Sequence, residues 1–387
     1  MRVVIVGAGP AGLSLHHLLR ARGHEVHLIE RARSFDRIGY GIGLWGNAWR
    51  ILEELGAADT VSRSATAVDH WQLRDAAGRV LGDIRLQPTP GRKTTAADAE
   101  PRPFSVIHRA ELHDALWTGV PDAVVTMGTT VEAVEQDDGG ATLTLSDGSR
   151  QRADVLVGAD GVHSRVRQLV FGVEPRDLGT AAWGFRIPPG VDLPDGFTEL
   201  LGEDGKALLL VGMPGTRMAT LSMRVPSERV VEDPLAYLRA HSREWILPEI
   251  LDAVAATDAE IFFDRNREAD LARFDRGRVV LIGDAAHALH PIVGMGASLA
   301  LEDAWVLADQ LGAAGIGQEP ALEGFTHRRR GPVRRARREA ALARRLVLTE
   351  NAAMRRLRDF LATRASWFGG SFARRAARLS RPPSERL

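Results

Sequence analysis

The first thirty residues contain an apolar run, a glycine-rich turn and a helical pattern in succession. Residues 2–7 (RVVIVG) are apolar and largely β-branched, which predicts a buried strand. Residues 11–22 repeat apolar positions with the period of a helix, and residues 24–30 (HEVHLIE) predict the next strand. The chain therefore begins with a predicted strand–helix–strand unit of an α/β fold.

The pattern changes twice further along the chain. Before residue 177 it predicts helices over 47–55 and 109–117, a hairpin over 124–135 and 141–147 with DDGG at its turn, a buried strand over 153–160, and a polar, proline-rich loop over 87–103. Strand-like runs punctuated by Pro and Gly follow over 178–265, with one helical piece around 234–256, which predicts an inserted antiparallel sheet. After it come a buried strand (278–284), a helix (298–311) and a helical tail from 321.

The glycine turn has the spacing of a dinucleotide-binding motif. Gly7 permits the tight turn, Gly9 lets the backbone approach a pyrophosphate, and Gly12 lets the helix pack on the strand. The pyrophosphate would lie at the helix N-terminus, where free N–H groups favour negative charge. Glu30 ends the second strand, eighteen residues after Gly12, where its carboxylate can accept hydrogen bonds from an adenosine ribose. These features together predict a bound dinucleotide.

Composition narrows the class of protein. Cysteine is absent, which excludes disulfides, thiolate metal sites and a cysteine nucleophile, and favours a cytoplasmic location. No apolar run approaches the roughly 20 residues that span a bilayer, so we expect no stable membrane insertion. Residues 321–387 hold 18 Arg against five acids. This charge indicates either solvated helix faces or an anionic partner or membrane surface, and the absence of aromatic interleaving disfavours nucleic acid.

Two further motifs give the chain its resemblance to a known family. The second, GADGVHSRVR, contains Asp160, Gly161, Ser164 and Arg167; the third, GDAAHALHP with the residues that follow, contains Gly283, Asp284, His287, Pro291, Gly294 and Gly296. With the glycine turn, in this order, they resemble the class A flavoprotein monooxygenases over about residues 1–310. The resemblance implies FAD as cofactor, NADH or NADPH as transient reductant, and O₂ as co-substrate.

The resemblance also implies which residues contact the cofactor. They are Gly7, Gly9, Gly12, Glu30, Arg31, Arg109, Val131, Asp160, Gly283, Asp284, Pro291, Gly294, Gly296 and Ala297. Asp284 follows an apolar strand and would hold the ribityl chain, and the helix starting near Ser298 would direct free N–H groups at the flavin. For Asp160, a turn residue beside Gly161 remains an alternative. Ser298 and Met295 depart from the family, which often has Asn and Gln there.

The fold class implied is α/β, with a Rossmann-like FAD-binding domain, an inserted antiparallel β-sheet substrate domain and a C-terminal helical tail. We assign residues 1–70, 101–177 and 269–320 to the FAD-binding domain, 71–100 and 178–268 to the substrate domain, and 321–387 to the tail. No metal is expected, and the oligomeric state stays open.

The substrate residues are the hardest to predict. Candidates are Trp183, Phe185, Arg186, Met213, Met223 and His290. Aromatic faces and thioethers suit a flat apolar ligand, although an ordinary sheet core is an equal alternative for each methionine. The alternation of a strand places Trp183 and Phe185 on the face opposite to Arg186. His290 is a candidate general base for a phenol, and a hydrogen-bonded structural histidine is the alternative.

The function predicted is an FAD-dependent, NAD(P)H-consuming monooxygenase. It would insert one oxygen atom, activated at the flavin C4a position, into an aromatic or polycyclic small molecule, as in natural-product tailoring. A flavin-dependent halogenase is one alternative, because WGFRIP at 183–188 approximates a halogenase pattern; only Lys93 and Lys206 could supply the lysine that such enzymes need. A non-oxygenating flavoprotein reductase or cyclase is another.

Overall fold

The computed structural model describes residues 1–35, 40–85, 104–194, 196–243, 246–257, 260–313 and 322–364, together with Arg375 and Leu379. The predicted loop over 87–103 lies outside these residues.

Within the described residues the strands are β1 (Arg2–Val6), β2 (Glu25–Ile29), β3 (Gly41–Trp45), β4 (Thr66–Ala67), β5 (His70–Asp75), β6 (Val80–Arg85), β7 (Phe104–His108), β8 (Val125–Thr126), β9 (Val131–Asp137), β10 (Gly140–Leu145), β11 (Arg150–Ala153), β12 (Val155–Gly158), β13 (Arg176–Ile187), β14 (Phe197–Leu201), β15 (Lys206–Met213), β16 (Thr216–Arg224), β17 (Ile261–Glu268), β18 (Asp275–Arg276) and β19 (Val279–Leu281).

The helices in the same residues are α1 (Pro10–Ala21), α2 (Gly46–Glu54), α3 (Ala58–Ser64), α4 (Arg109–Trp117), α5 (Arg165–Phe171), α6 (Pro234–His241), α7 (Leu247–Ala255), α8 (Asp284–His287), α9 (Gly296–Ala313), α10 (Glu323–Val347) and α11 (Ala352–Thr363). Short 3₁₀ turns cover Asp122–Val124 and Pro291–Val293.

A six-stranded sheet carries the three sequence motifs. Its order is β18-β19-β12-β1-β2-β8, and all its strand pairs are parallel except β18 with β19. The carboxyl ends of β1, β12 and β19 lead into the first, second and third motif respectively. Neighbouring parallel strands end at one edge of a sheet, so this topology brings three motifs that are distant in sequence together.

A seven-stranded sheet forms the second large unit. Its order is β17-β13-β16-β15-β14-β5-β6. The pairs are antiparallel, as predicted, except that β14 and β5 are parallel. This difference arises because β5 and β6 come from an earlier segment of the chain, so no hairpin turn fixes the direction of β5 against β14. The exact domain boundaries remain a prediction.

Pairing register divides the seven-stranded sheet into two faces. Trp183 pairs with Leu221, Leu221 with Leu208, and Leu208 with Leu200. All four are buried in one cluster with apolar residues of α6 and α7, which cover this outer face. The opposite, inner face contains Gly184 and is directed toward the third motif, because Thr180 on the same side of β13 contacts His290.

Two predicted elements are divided in the structure. The run over 124–135 splits into β8, which joins the parallel sheet, and β9, which pairs with β10 in the expected hairpin. The helical piece around 234–256 becomes α6 and α7, because Ile246 adopts a left-handed φ of 45° before α7. The part of the tail that the structure describes is helical, as α10 and α11.

Candidate cofactor and substrate site

The three glycines of the first motif have different surroundings. A Cβ at Gly12 would lie 2.0 Å from the carbonyl oxygen of Gly7, and one at Gly7, where φ is +106°, would lie 2.4 Å from that of Ala159. A Cβ at Gly9 would meet nothing within 4 Å. Gly9 is also the N-cap of α1 and has no side chain to cap it, so the first N–H groups of the helix face open space. That arrangement suits a pyrophosphate.

Glu30 is buried at the end of β2 and holds the glycine turn. Its carboxylate accepts hydrogen bonds from the backbone N–H of Ala8 and that of Ala32, each at 2.8 Å. Both oxygens keep a further lone pair, which the predicted ribose contact would use. The neighbouring Arg31 is exposed. Burial and the charge of Arg267 lower the pKa of His163 in the second motif, and the charge of Arg31 makes a smaller contribution in the same direction.

Val131 is the predicted cofactor contact whose side chain does not reach the cleft. It begins β9 and is buried in the main hydrophobic core. Only its backbone could serve a cofactor.

Asp160 of the second motif caps a helix. One carboxylate oxygen accepts from the Ser164 hydroxyl at 2.5 Å, and the other accepts from the backbone N–H groups of Arg165 (2.7 Å) and Val166 (3.1 Å). Burial raises the pKa of Asp160, and these hydrogen bonds oppose the rise. Its contacts match the alternative of a turn residue beside Gly161, and a direct contact with the cofactor stays a prediction.

Arg167 ties the second motif to the third. Its side chain is fully buried and donates to the carbonyl oxygens of Val162 (2.6 Å), Val173 (3.0 Å) and Ala285 (3.0 Å). A planar guanidinium with five N–H groups can satisfy several carbonyls at once. The position of Asp284 at the start of α8 therefore depends on a residue more than a hundred positions earlier.

Asp284 is the first residue of α8, directly after Gly283 of the third motif. Its side chain is exposed, yet desolvation by the surrounding protein raises the pKa of its carboxyl. The charge of Asp303 raises this pKa further, whereas the charges of His287 and Arg109 lower it. A Cβ at Gly296 would be 4.0 Å from Asp284 Oδ1. Gly296 begins the 18-residue helix α9, whose first turn holds no acid. A carboxylate thus faces the positive end of a helix dipole across the cleft.

The loop before α9 packs against β3. Trp45 donates from its indole to the carbonyl of Gly294 (3.0 Å) and from its backbone to the Ser298 hydroxyl (2.9 Å). Gly294 has a left-handed φ of +59°, Pro291 is exposed at the start of the 3₁₀ turn, and Ala297 is half-buried. Ser298 therefore anchors β3 at a position where the family often has Asn.

A buried charge network supports the third motif from behind. Asp303 on α9 accepts from the backbone N–H of Gly283 (2.8 Å) and lies 2.5 Å from His287 Nε2 and from Arg329 Nε. Burial acts to raise the pKa of Asp303, but His287 and Arg329 outweigh it and the pKa is lowered. Arg329 also pairs with Glu302 at 2.9 Å. The C-terminal helix α10 thereby fixes the loop that carries Asp284.

His290 does not have the surroundings of a general base. Its Nδ1 accepts from the backbone N–H of Ile292 (3.2 Å), and its Nε2 lies 3.1 Å from the Thr180 hydroxyl and 3.3 Å from Asn266 Nδ2. The ring is 2% exposed, and burial lowers its pKa to about 3. These contacts match the alternative of a hydrogen-bonded structural histidine that joins the third motif to the seven-stranded sheet, and a catalytic role for His290 stays a prediction.

The structure separates the predicted substrate residues. Trp183, Phe185 and Met223 are buried on the outer face under α6 and α7, away from the third motif, and their predicted contact with substrate finds no support in this position. Arg186 is on the inner face and exposed, and Met213 is in the inner-face cluster. Side chains alternate along β13, so Arg186 lies on the face opposite to Trp183 and Phe185. The aromatic residues of the halogenase-like WGFRIP segment therefore point away from the third motif.

Tyr40 is a site residue that the sequence analysis missed. Its ring centroid is 4.4 Å from that of Phe262, and a Cβ at Gly184 would lie 2.7 Å from Tyr40 Cβ. Burial raises the pKa of its phenol, while Arg109 lowers it and Asp284 raises it. Tyr40 therefore lies between the cofactor cleft and the inner face of the sheet. Its only sequence signal was the glycine on each side, at positions 39 and 41.

The described residues contain no group of three or more His, Asp and Glu side chains placed to hold a metal ion. None of the helices in that part of the chain is long and apolar enough to cross a membrane.

Comparisons with known proteins agree with this geometry. The profile of a family described as "FAD binding domain" matches residues 1–340. The chain is 33% identical over 365 residues to 3-amino-4-hydroxybenzoate 2-monooxygenase PtnB3 of Streptomyces platensis, covering 88% of this chain and 86% of that protein. It is 29% identical over 318 residues to 6-hydroxynicotinate 3-monooxygenase of Bordetella bronchiseptica, covering 79% and 81%.

Its fold is similar to that of Klebsiella pneumoniae HpxO, crystallised with FAD and uric acid, with a TM-score of 0.84 at 23% identity over 99% of this chain and 97% of that one. The match over most of the chain, together with the cleft built by the three motifs, identifies the family. The chain belongs to the FAD-binding-domain family of flavoproteins and is an FAD-dependent monooxygenase.

Proposed function

We propose that this enzyme hydroxylates a small arene that carries a hydroxyl or amino group, and that it consumes NADH or NADPH and O₂. Two relatives, which are named as monooxygenases of 3-amino-4-hydroxybenzoate and of 6-hydroxynicotinate, support this substrate class. Electron-donating substituents raise the nucleophilicity of a ring, which an electrophilic oxygen requires. A Streptomyces relative and the cysteine-free composition support natural-product tailoring in the cytoplasm.

The residues present fit FAD. The open space at Gly9 and the uncapped start of α1 would take the pyrophosphate, and Glu30 the adenosine ribose. Asp284 and the first turn of α9 would hold the ribityl chain and the flavin edge. FAD, when bound, supplies hydride acceptance from the nicotinamide and activation of O₂ for transfer to the ring.

The protein itself supplies orientation and a suitable electrostatic environment. The N–H groups of Gly296 and Ala297 at the start of α9 would stabilise negative charge on the bound flavin without reorganisation of the protein. The aliphatic face of the seven-stranded sheet excludes water from the reacting ring. Since His290 is bonded at both nitrogens, a substrate phenol loses its proton to another acceptor.

The proposal rests on the position of Asp284. Its carboxylate is accessible but partly desolvated, and it faces the start of α9. His290, in the loop between Asp284 and α9, contacts Thr180 on the inner face of the sheet. The flavin end of the cleft therefore opens onto that face, where an aromatic ring would lie.

The test is a screen of hydroxy- and amino-arenes against the purified, FAD-loaded protein. We expect a yellow protein, substrate-stimulated NAD(P)H oxidation, and one ¹⁸O atom from ¹⁸O₂ in the product. Asp284→Asn should lose FAD, whereas the exposed Asp122→Asn should not. A protein that cannot be loaded with FAD, or a product without ¹⁸O, would contradict the proposal.

A further inference from the structure

We propose that Glu199 is a substrate-recognition residue whose carboxylate binds a nitrogen-borne hydrogen-bond donor on the aromatic substrate. This inference rests on the proposed function and names the chemical feature that the substrate must carry at the end of the ring distant from the flavin.

Pairing register places Glu199 on the inner face of the seven-stranded sheet. Gly184 pairs with Thr220, Thr220 with Leu209, and Leu209 with Glu199. Residues directly opposite in antiparallel strands point to the same face, so all four share the face that contacts Tyr40. Strands lie about 4.8 Å apart, so Glu199 is roughly 14 Å across the sheet from Gly184.

The side chains between these two ends leave room for a ring. Thr220 and Leu209 are only half-buried, although their neighbours along the same strands, Leu221 and Leu208, are fully buried on the outer face. Glu199 is half-buried as well. This partly accessible row, in the middle of a sheet and with Tyr40 at one end, is where the ring of an aromatic substrate would lie.

The carboxylate keeps acceptor capacity. The indole N–H of Trp71, on the neighbouring strand β5, is directed at it, and the positive charge of Arg358 on α11 acts on it. Arg358 donates instead to the carbonyls of Leu201, Gly202 and Val347, and its Nε to Asp359. Within the described part of the chain, no cation forms an ion pair with Glu199, which leaves lone pairs directed into the pocket.

Retaining an acid at this position has a cost that a structural role does not explain. Burial raises the pKa of Glu199 to about 7, against the opposing effects of Arg358 and Trp71. Its cross-strand neighbours on this face, Leu209 and Leu73, are apolar. A desolvated carboxylate in a pocket is a characteristic of binding sites, and its natural ligand is an N–H donor or an ammonium group.

The test measures binding to the oxidised, FAD-loaded enzyme by the perturbation of flavin absorbance. Three arenes of one shape serve as probes: 3-aminophenol, 3-methylphenol and 3-hydroxybenzoate. We expect 3-aminophenol to bind at least 10-fold more tightly than 3-methylphenol, and 3-hydroxybenzoate to bind most weakly, because a hydrogen bond to a charged group discriminates by this factor.

Glu199→Gln should reduce the preference for 3-aminophenol to within about 3-fold and leave binding of 3-methylphenol unchanged. Raising the pH from 6 to 8 should tighten 3-aminophenol binding to the parent enzyme, because Glu199 loses its proton. The affinity of Glu199→Gln for 3-aminophenol should not change over this pH range. The charged group that acts on Glu199 from a packed element is Arg358 of α11, which is itself paired with Asp359. Glu132→Gln, an exposed change on β9, is the matched control.

Equal affinity for the amino and methyl probes, or an unchanged preference in Glu199→Gln, would overturn the assignment. Glu199→Asp is the second variant should the glutamine form fail to fold, and it should retain the preference at reduced strength. If the proposed function is wrong, no arene stimulates NAD(P)H oxidation. If only the role of Glu199 is wrong, arenes stimulate NAD(P)H oxidation whether or not they carry an amino group.

Discussion

The Arg167 guanidinium donates to the carbonyl oxygen of Ala285 at 3.0 Å and so fixes the residue that follows Asp284. We expect Arg167→Met to weaken FAD binding at least 10-fold, because three buried carbonyls lose their donor and the third motif shifts. The loss of stability should be about 3 kcal/mol. Fluorescence titration of FAD and urea unfolding check both. Arg165→Met, an exposed change two residues earlier, should alter neither; normal FAD affinity in Arg167→Met would show that the bond has no role in the site.

Gly9 and Gly12 should respond to alanine in opposite ways. Gly12→Ala should destabilise the apoprotein by at least about 2 kcal/mol, since its Cβ would lie 2.0 Å from a backbone oxygen. Gly9→Ala should leave the apoprotein folded, because the new methyl meets no protein atom within 4 Å, but should weaken FAD binding at least 10-fold. Thermal unfolding without FAD, followed by FAD titration, separates the two. Tight FAD binding by Gly9→Ala would place the pyrophosphate elsewhere.

Asp284→Asn should stabilise the apoprotein and weaken FAD binding at neutral pH. Burial raises the pKa of this carboxyl in the folded state, so its stabilising contribution is present below the unfolded-state value of 3.8 and is lost as the pH rises through the folded value. The stability advantage of the variant should therefore shrink as the pH is lowered toward 4. Unfolding of both apoproteins at pH 4 to 7 measures this, and an advantage that grows on acidification would contradict it.

His290→Asn should lower stability and leave the pH profile of turnover unchanged. Its pKa of about 3 in the folded state lies below the ordinary 6.5, so its contribution is complete above pH 6.5 and is lost as the pH falls toward 3. We expect a loss of roughly 1–3 kcal/mol at pH 7 from the disrupted bonds to Thr180 and Ile292. Urea unfolding and kcat/KM from pH 6 to 9 are the measurements. Loss of a titration near neutral pH would restore His290 as the base.

The parallel core was predictable from the sequence, because it depends on local spacing, and the three motifs meet at one edge of that sheet. Gly9 and Asp284 each follow a buried strand, and parallel strands necessarily deliver such positions to one edge. The side of the inserted sheet that faces the third motif could not be predicted. Whether Trp183 or Glu199 faces the flavin depends on which side of the sheet meets the third motif, and that is decided by contacts such as Thr180 with His290. Alternation reveals that two faces exist but not which one is covered by helices.

The bond between Arg329 and Asp303 has a consequence for biosynthesis. The glycine turn at residues 7–12 precedes α10 in the sequence and leaves the ribosome before it, yet the loop that carries Asp284 is fixed by Arg329 of α10 through Asp303. Domains generally fold from the N-terminus during translation. We therefore expect the growing chain to bind FAD with full affinity only after α10 has emerged.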